Sequence, residues 1–298
     1  MTNLNLLFNK TYYNTLTVQS GGKKVFPGAS EMNNALFDAR FFPEDYAQPE
    51  AMVKHRFLMS VCYPGLLIGL GNTHDSGAGD EEIGVGFSFD YVTGQPYIPG
   101  STVKGVLRSH FKDHPQVIMD LCGQELAWVK GLEREIFENT DVFFDAVVYS
   151  GNPEGKLLGT EFITPHKTAT ENPVPIKLLK ILPEVRFEFR FRLEDGSHMT
   201  AQEKMALFQR LLESFGIGAK TNVGFGILKP DQGKPYSKPA PAVVASATQP
   251  SHSRSAVPSG DGKKCPHCGK WNKRFNPYKG QENENWSKGV CFNCEKKM

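Results

Sequence analysis

The sequence contains no apolar run that approaches the ~20 residues needed by a membrane-spanning helix. Its start, MTNLNLLFNKTYYN, has neither the basic first region nor the continuous apolar stretch of a secretory signal. Net charge is also small, +2 from 34 Lys and Arg against 32 Asp and Glu. We therefore expect a cytoplasmic protein without membrane contact, whose affinity for nucleic acid would have to come from local basic patches.

Cysteine is scarce over most of the chain. Four of the six cysteines fall in the last 34 residues, as two Cys-x-x-Cys pairs separated by 22 residues. In a reducing compartment such pairs indicate metal rather than disulfides, and the spacing is close to that of a zinc ribbon. The predicted zinc ligands are the thiolates of Cys265, Cys268, Cys291 and Cys294.

Composition divides the chain into three parts. Residues 229–262 are rich in Pro, Ala and Ser and lack periodicity, which is typical of a flexible linker. We expect a folded domain over residues 1–228 and a zinc-ribbon module over residues 263–298, which is too short to fold by apolar burial alone. The basic, aromatic-rich tail could hold single-stranded nucleic acid, or its aromatic residues could simply cover the zinc site.

The first part of the chain alternates predicted strands with predicted helices. Apolar and polar residues alternate over 185–193, and residues 57–63 and 142–149 are further strand candidates. One helix is predicted to begin with Ser101 as its N-cap, and a second to run from a Thr200–Glu203 capping box to Gly216. This order favours an α+β fold, a sandwich of the ferredoxin-like kind.

A glycine-rich segment, GIGAKTNVGFG over residues 216–226, follows the second helix directly. Its glycines allow a close backbone approach to a ligand, and its lysine offers a charge for phosphate, although a plain helix C-cap and turn would look similar. The spacing matches neither a Walker loop nor a dinucleotide fingerprint. The candidate ligand-binding residues are Gly216, Gly218, Lys220, Thr221, Asn222 and Gly224.

A second candidate anion site lies at the start of the first helix, in YIPGSTVKGVLR over residues 97–108. Free amides at a helix N-terminus attract anions, and Ser101, Lys104 and Arg108 add polar groups there. The alternative is a capped helix with solvated basic residues. Asp145 and His166 are a conceivable acid–base pair, but a structural Asp and a His that stacks on a base or bonds the backbone fit the sequence better.

Together these motifs resemble the RAMP superfamily of CRISPR proteins, through IPGSTVKGVLR and GIGAKTNVGFG. Within it, NLNLLFNKTYYN, FSFDYVTGQPYIPGS, VFFDA and ITPH are similar to the sixth-subunit family of type III-B (Cmr) effectors. The resemblance implies an RRM-like, ferredoxin-like RAMP domain with insertions, which caps one end of the complex and binds the 3′ part of the guide RNA. Candidate RNA-binding residues then include His166 as well as those of both motifs.

The resemblance further implies a subunit without catalysis of its own, in contact with guide RNA, target RNA and the other backbone and small Cmr subunits. We expect an extended thumb over residues 156–177. Two rival hypotheses remain open from the sequence. One is a RAMP endoribonuclease that processes guide RNA through His55 or His166, and the other is a zinc-ribbon scaffold whose large domain binds protein rather than RNA.

Overall fold

The computed structural model describes residues 3–22, 24–41, 52–72, 74, 82–164 and 175–231, together with the backbone of residues 262–264 and 271–273. The chain divides into two compact units, Met1–Ser237 and Lys238–Met298. No helix in the part that the structure describes is long and apolar enough to cross a membrane.

Helices and short strands alternate through the first unit. The helices are α1 (Leu4–Asn9), α2 (Ala29–Phe37), α3 (Gly100–Asp113), α4 (Pro115–Cys122), α5 (Leu126–Glu138) and α6 (Ala201–Phe215). The strands are β1 (Thr17–Val18), β2 (Lys24–Val25), β3 (His55–Val61), β4 (Tyr97–Ile98), β5 (Val142–Phe143), β6 (Ala146–Ser150), β7 (Leu158–Ile163), β8 (Ile176–Ile181), β9 (Arg186–Arg192) and β10 (Leu228–Asp231).

The central sheet has the strand order β10-β3-β9-β6-β4, and β5 pairs with the end of β9. Every pair in it is antiparallel. Along the chain, β3, α3, β6, β9, α6 and β10 form a βαββαβ series, and the fourth strand of this series lies beside the first. This is the order of a ferredoxin-like sheet, and the predicted α+β class is confirmed.

Phenylalanines on one face of β3 and β9 form the centre of the core. Phe57 and Phe189 are directly opposite each other, and their rings stack with centroids 5.4 Å apart. The ring centroids of Phe191 and of Phe208 in α6 are 5.6 Å apart, so this helix packs on the same face of the sheet. Truncation of such a buried ring typically costs about 3–5 kcal/mol.

The α6 helix follows its sequence prediction at both ends. The Thr200 side chain accepts a hydrogen bond from the Glu203 amide, and the Glu203 carboxylate accepts one from the Thr200 amide. This is the predicted capping box, and it satisfies amides that the first helical turn leaves without partners. The helix ends at Gly216, whose φ of 72° is strained for a residue with a side chain.

A buried lysine joins α6 to the segment that follows α5. Lys204 donates hydrogen bonds to Asp141 Oδ2 and to the carbonyl of Glu194, both at 2.9 Å, and its ammonium lies 3.6 Å from Glu135 Oε1. The other Glu135 oxygen accepts hydrogen bonds from the amides of Ser197 and His198 and from the His198 ring. The hydrogen bonds from His198 and Ser197 and the charge of Lys204 outweigh burial and lower the pKa of Glu135, which favours its charged form.

The predicted strand 142–149 is divided in two, as β5 and β6. The reason is the close approach of α3, because a Cβ atom on Gly100 would lie 2.3 Å from the carbonyl oxygen of Phe143. Phe144 and Asp145 between the strands leave the regular ladder to accommodate the helix start. Two other boundaries also differ from prediction. The strand predicted over 57–63 ends at Val61, and β10 continues to Asp231, past the predicted linker start at residue 229.

The β7 and β8 strands form a separate antiparallel hairpin. An isolated bridge between Leu66 and Ile181 connects the base of this hairpin to the segment after β3. The hairpin overlaps the thumb predicted over residues 156–177, but β8 extends beyond that range to Ile181. His166 lies outside the described residues.

In the second unit, two short antiparallel strands are described, β11 (Gly262–Lys264) and β12 (Trp271–Lys273). The predicted zinc ligands Cys265, Cys268, Cys291 and Cys294 lie outside the described residues, and the zinc ribbon stays a prediction.

Candidate nucleic-acid interface

The glycine-rich segment forms a closed loop between α6 and β10. The amide of Ile217 donates to the carbonyl of Gly226 at 3.0 Å and so joins the two ends of the loop. A Cβ atom on Gly226 would lie 1.9 Å from the carbonyl oxygen of Ile217. Only glycine permits this contact, so the loop geometry depends on the residue type at position 226.

The loop is also fixed to the segment after β3. The amide of Gly226 donates to the carbonyl of Gly65 at 2.8 Å, and the amide of Ala219 donates to that of Leu67 at 2.9 Å. Gly218 approaches the same segment, since a Cβ atom there would lie 2.5 Å from the Leu67 oxygen. Backbone hydrogen bonds therefore hold both sides of the loop.

The tip of the loop faces solvent. Lys220 adopts a left-handed conformation with φ of 63°, and it precedes a short 3-10 helix, Thr221–Val223. Lys220, Asn222 and Val223 are exposed. Within the described residues, no ion pair or hydrogen bond involves the Lys220 ammonium group. A free cation on a fixed backbone is suited to phosphate.

Phe225 anchors the loop from below. It is buried in a small apolar cluster with Leu67 and with Leu178 of β8. The loop, the segment after β3 and the β7–β8 hairpin therefore meet in this small cluster, and each of them also contributes a residue to the main core, as Ile217, Leu66 and Ile181 do.

Tyr63 was not among the predicted site residues, yet it lies beside this loop. The strand period predicts an inward side chain, but the strand ends at Val61 and the Tyr63 side chain is 85% exposed. Its neighbour Pro64 approaches the loop, with Cδ 3.7 Å from the position of a Cβ atom on Gly224. The Pro64–Gly65 dipeptide, a strong turn signal, could have indicated the end of the strand.

At the second candidate site, the start of α3 is capped from another part of the chain. Gly100 is the first helical residue and Pro99 precedes it without a side-chain cap, so the prediction of Ser101 as N-cap is wrong. Proline has no hydroxyl to offer, and Oδ1 of Asp145 instead accepts a hydrogen bond from the Gly100 amide at 2.7 Å. Ser101 is left exposed on the first turn.

The two basic residues of α3 have different surroundings. The Lys104 ammonium lies 5.7 Å from the centroid of the Phe143 ring. Arg108 donates hydrogen bonds to Glu133 Oε1 at 3.0 Å and to Glu138 Oε1 at 2.6 Å, and these carboxylates raise its pKa above the usual value. The guanidinium of Arg108 is therefore bound by α5 rather than free for phosphate.

The two candidate elements lie at opposite ends of the central sheet. Phe143, beneath Lys104, pairs with Phe191, which in turn pairs with His55 at the start of β3. The glycine-rich loop instead enters β10, where Leu228 pairs with Val61 at the end of β3. At ~3.3 Å per residue the two ends of β3 are about 20 Å apart, so Lys104 and Lys220 do not converge on one phosphate.

The residues considered for catalysis have structural partners where they are described. Asp145 caps α3, and Nδ1 of His55 accepts a hydrogen bond from the Leu193 amide at 3.3 Å. Nowhere in the described ranges do three or more His, Cys, Asp or Glu residues come together as a potential metal site. The sequence interpretation of Asp145 as a residue that fixes local structure agrees with this geometry.

Comparison with known families decides the classification of this fold. The family model described as the RAMP superfamily matches residues 59–229, a range that includes both candidate elements. The chain belongs to the RAMP superfamily. The resemblance predicted from the sequence motifs is thereby confirmed at the level of the family.

Relatives within the RAMP superfamily support the narrower resemblance to the sixth Cmr subunit. The chain is 30% identical over 156 residues to the CRISPR system CMR subunit Cmr6 of Saccharolobus solfataricus, an alignment that covers 48% of each protein. It thus spans about half the length of this curated relative.

Two solved structures are similar to part of this RAMP protein. A type III-B Cmr-beta complex bound to cognate target RNA has a chain with 23% identity and a TM-score of 0.46, over 59% of this chain and 58% of that one. Cmr6 from Pyrococcus furiosus has 22% identity and a TM-score of 0.38, over 59% of this chain and 98% of that one.

Proposed function

We propose that this RAMP protein is a non-catalytic, RNA-binding subunit of a type III-B CRISPR effector, equivalent to Cmr6. In this role it would cap one end of the complex and hold the 3′ part of the guide RNA. Its partners would be guide RNA, target RNA, and the other backbone and small Cmr subunits. Membership of the RAMP superfamily and the likeness to Cmr6 support this assignment.

The fixed loop with its exposed lysine is the observation that carries the proposal. Two backbone hydrogen bonds attach the loop to the segment after β3, while Lys220 and Asn222 face solvent. Because the backbone is already ordered, binding a phosphate there costs little additional conformational entropy. A sequence-independent contact of this kind suits a subunit that must hold guides of any sequence.

The remaining predicted contacts divide into two groups. Ser101 and Lys104 offer a second contact about 20 Å away, at the other end of β3, which an extended strand of RNA could reach. Arg108 is a weaker candidate for RNA binding, since a phosphate would have to displace the carboxylates of Glu133 and Glu138 from its guanidinium group. We assign it a structural role in holding α5 against α3.

The absence of catalysis is part of the proposal. Asp145 and His55 are engaged in structural hydrogen bonds, which supports assignment of RNA cleavage to other subunits. The proposal also includes one structural zinc ion, held by the four tail cysteines, on the basis of their Cys-x2-Cys-x22-Cys-x2-Cys spacing. Four thiolates would leave the metal no open position for chemistry.

The test is to sequence the RNA that copurifies with the tagged full-length chain, and to measure the affinity of the purified chain for that RNA across salt concentrations. We expect guide RNA, with Lys220→Ala reducing the slope of log K against log [salt] by about 0.7. Lys130→Ala, at an exposed position of α5, is the matched control and should leave the slope unchanged.

Other results would favour a rival function. Cleavage of repeat RNA by the purified chain would overturn the non-catalytic assignment in favour of an endoribonuclease. Copurification of protein without RNA, and no measurable RNA affinity, would instead support a scaffold protein.

A further inference from the structure

Tyr63 presents an aromatic ring to solvent next to the glycine-rich loop. The side chains at positions 57, 59 and 61 of the preceding strand are all buried, whereas Tyr63 is 85% exposed. The turn after Val61 therefore directs outward a residue that a continued strand would have buried. A single exposed aromatic residue is unremarkable by itself, so the inference depends on its support and its neighbours.

The backbone around Tyr63 is held on both sides. Before it, the amide of Cys62 donates to the carbonyl of Ile227 at 2.9 Å. After it, Gly65 accepts from the Gly226 amide at 2.8 Å, and Leu66 and Ile181 exchange two hydrogen bonds, at 3.1 and 2.9 Å. The ring is thus mounted on a fixed turn and needs no ordering of the backbone before it contacts a ligand.

The neighbouring groups match the parts of a nucleotide. Pro64 Cδ lies 3.7 Å from the position of a Cβ atom on Gly224, at the end of the loop tip. This tip carries the Lys220 ammonium, the Asn222 amide and the exposed side chain of Val223. The cation suits a phosphate, an amide suits the edge of a base, and an aromatic face suits the plane of a base. Glu184, an acidic residue, is joined to the same strand end, because its amide donates to the carbonyl of Val61.

A second tyrosine of equal exposure lacks these neighbours. Tyr91 is also 85% exposed, and it follows Asp90, whose carboxylate accepts hydrogen bonds from the amides of Val92 and Thr93. The flanking groups there are an acidic residue and the exposed side chain of Val92, which do not suit a phosphate. The two tyrosines differ in surroundings rather than in accessibility.

We propose that Tyr63 is a stacking platform for an unpaired RNA base, adjacent to the phosphate contact at Lys220. This inference rests on the proposed RNA-binding function and adds a specific ligand, a nucleobase of single-stranded RNA. Stacking tolerates any base, so the contact is compatible with guides of varied sequence. Tyr63 acts on the base plane and Lys220 on the backbone charge, and the two contributions respond differently to salt.

The experiment measures binding of the full-length chain to a fluorescein-labelled single-stranded RNA and to a duplex of the same sequence, at several salt concentrations. Tyr63→Ala should weaken single-strand binding roughly 5- to 150-fold, with the salt slope unchanged, because only stacking is lost. Tyr63→Phe keeps the ring and should bind like the wild type. Tyr91→Ala is the matched control and should also bind like the wild type.

The measurement with duplex RNA distinguishes the loss of stacking from a general disruption of the RNA-binding surface. A duplex has no unpaired base to offer, so Tyr63→Ala should leave its binding unchanged. Wild-type affinity of Tyr63→Ala for single strands would overturn the stacking role while leaving the proposed function intact. Equal losses in Tyr63→Phe and Tyr63→Ala would also overturn it, since the hydroxyl group would then be responsible. A wild-type chain that binds no RNA would overturn both proposals.

Discussion

Oδ1 of Asp145 accepts a hydrogen bond from the backbone amide of Gly100 at 2.7 Å, and so caps a helix that begins 45 residues earlier in the chain. The cap connects the break between β5 and β6 to the first turn of α3. The position of Lys104, one turn further along α3, therefore depends on a carboxylate that a catalytic interpretation would have assigned to chemistry.

Replacement of Asp145 by Ala should destabilise the protein by about 1 kcal/mol, because the Gly100 amide loses its acceptor. Asp145→Asn keeps an acceptor oxygen and should lose less. Urea unfolding of the purified chain measures both changes. In an assembled effector, neither variant should reduce target cleavage per complex, and a fully assembled complex that lost cleavage would contradict the structural role.

Gly226→Ala should disrupt the glycine-rich loop. The added Cβ would lie 1.9 Å from the carbonyl oxygen of Ile217, and the φ of 72° is unfavourable for alanine. We expect the free energy of unfolding to fall by more than about 1–2 kcal/mol, and RNA binding to weaken. The measurements are thermal unfolding and RNA affinity.

The matched control is Gly105→Ala, on an exposed position of α3 where a Cβ atom would meet nothing within 4 Å. Alanine is favoured there by roughly 0.5–1 kcal/mol, so this variant should be more stable than the wild type. A Gly226→Ala protein as stable as Gly105→Ala would contradict the described loop geometry.

Glu135 should contribute to stability in mildly acidic solution. Burial raises its pKa, but hydrogen bonds from the His198 ring, from Ser197 and from the His198 amide, together with the Lys204 charge, outweigh burial and lower the pKa from 4.5 to about 2. Because the pKa of Glu135 is lower in the folded state than in the unfolded state, its carboxylate stabilises the folded protein at every pH above the unfolded-state pKa of about 4.5. That stabilisation, on the order of 3 kcal/mol, is lost as the pH falls from about 4.5 towards 2.

Glu135→Gln removes this titration, so its free energy of unfolding should depend less on pH below about 5 than that of the wild type. Glu213→Gln, at an exposed position of α6, is the control. Urea unfolding over a pH series gives the comparison. Parallel pH curves for the wild type and Glu135→Gln would show that the hydrogen bonds from Ser197 and His198 do not act on the charged carboxylate as described.

Removal of zinc should unfold the tail and leave the first unit folded. A module of about 36 residues draws most of its folding free energy from the metal, and the Pro-rich linker should uncouple it from the domain. We expect one equivalent of zinc per chain, its loss in Cys268→Ser and retention in Cys122→Ser. Metal analysis and circular dichroism would reveal a chain without zinc, or a first unit that unfolds with the tail.

Features set by local sequence were predictable. The capping box and apolar face of α6, its end at Gly216 and the alternation in β9 each depend on residues close in the chain. The glycine-rich loop was located for the same reason. The family motifs contributed the prediction of the RAMP fold, because they occur in the same order as in the family even where the hydrophobic periodicity of the helices and strands is weak.

Features set by distant contacts could not be predicted in this way. The pairing of Arg108 with Glu133 and Glu138 requires the packing of α5 on α3, and α5 itself was not predicted. The separation of Lys104 from Lys220 depends on the register of β3 with β9 and β10. Tyr63 was included in the strand predicted over residues 57–63, but β3 ends at Val61 and the exposed position of the Tyr63 side chain depends on the turn that is held by the Gly226–Gly65 hydrogen bond.

The apolar cluster of Phe225, Leu67 and Leu178 has a mechanical consequence. It joins the glycine-rich loop and the β7–β8 hairpin through interdigitated side chains, so neither element can shift without opening a packed interior. A strand of RNA held by Lys220 and Tyr63 would therefore meet the hairpin at a constant spacing, whatever its sequence. The loop and the hairpin would therefore keep a fixed distance from each other along the bound RNA, and the packing of Phe225 would set that distance.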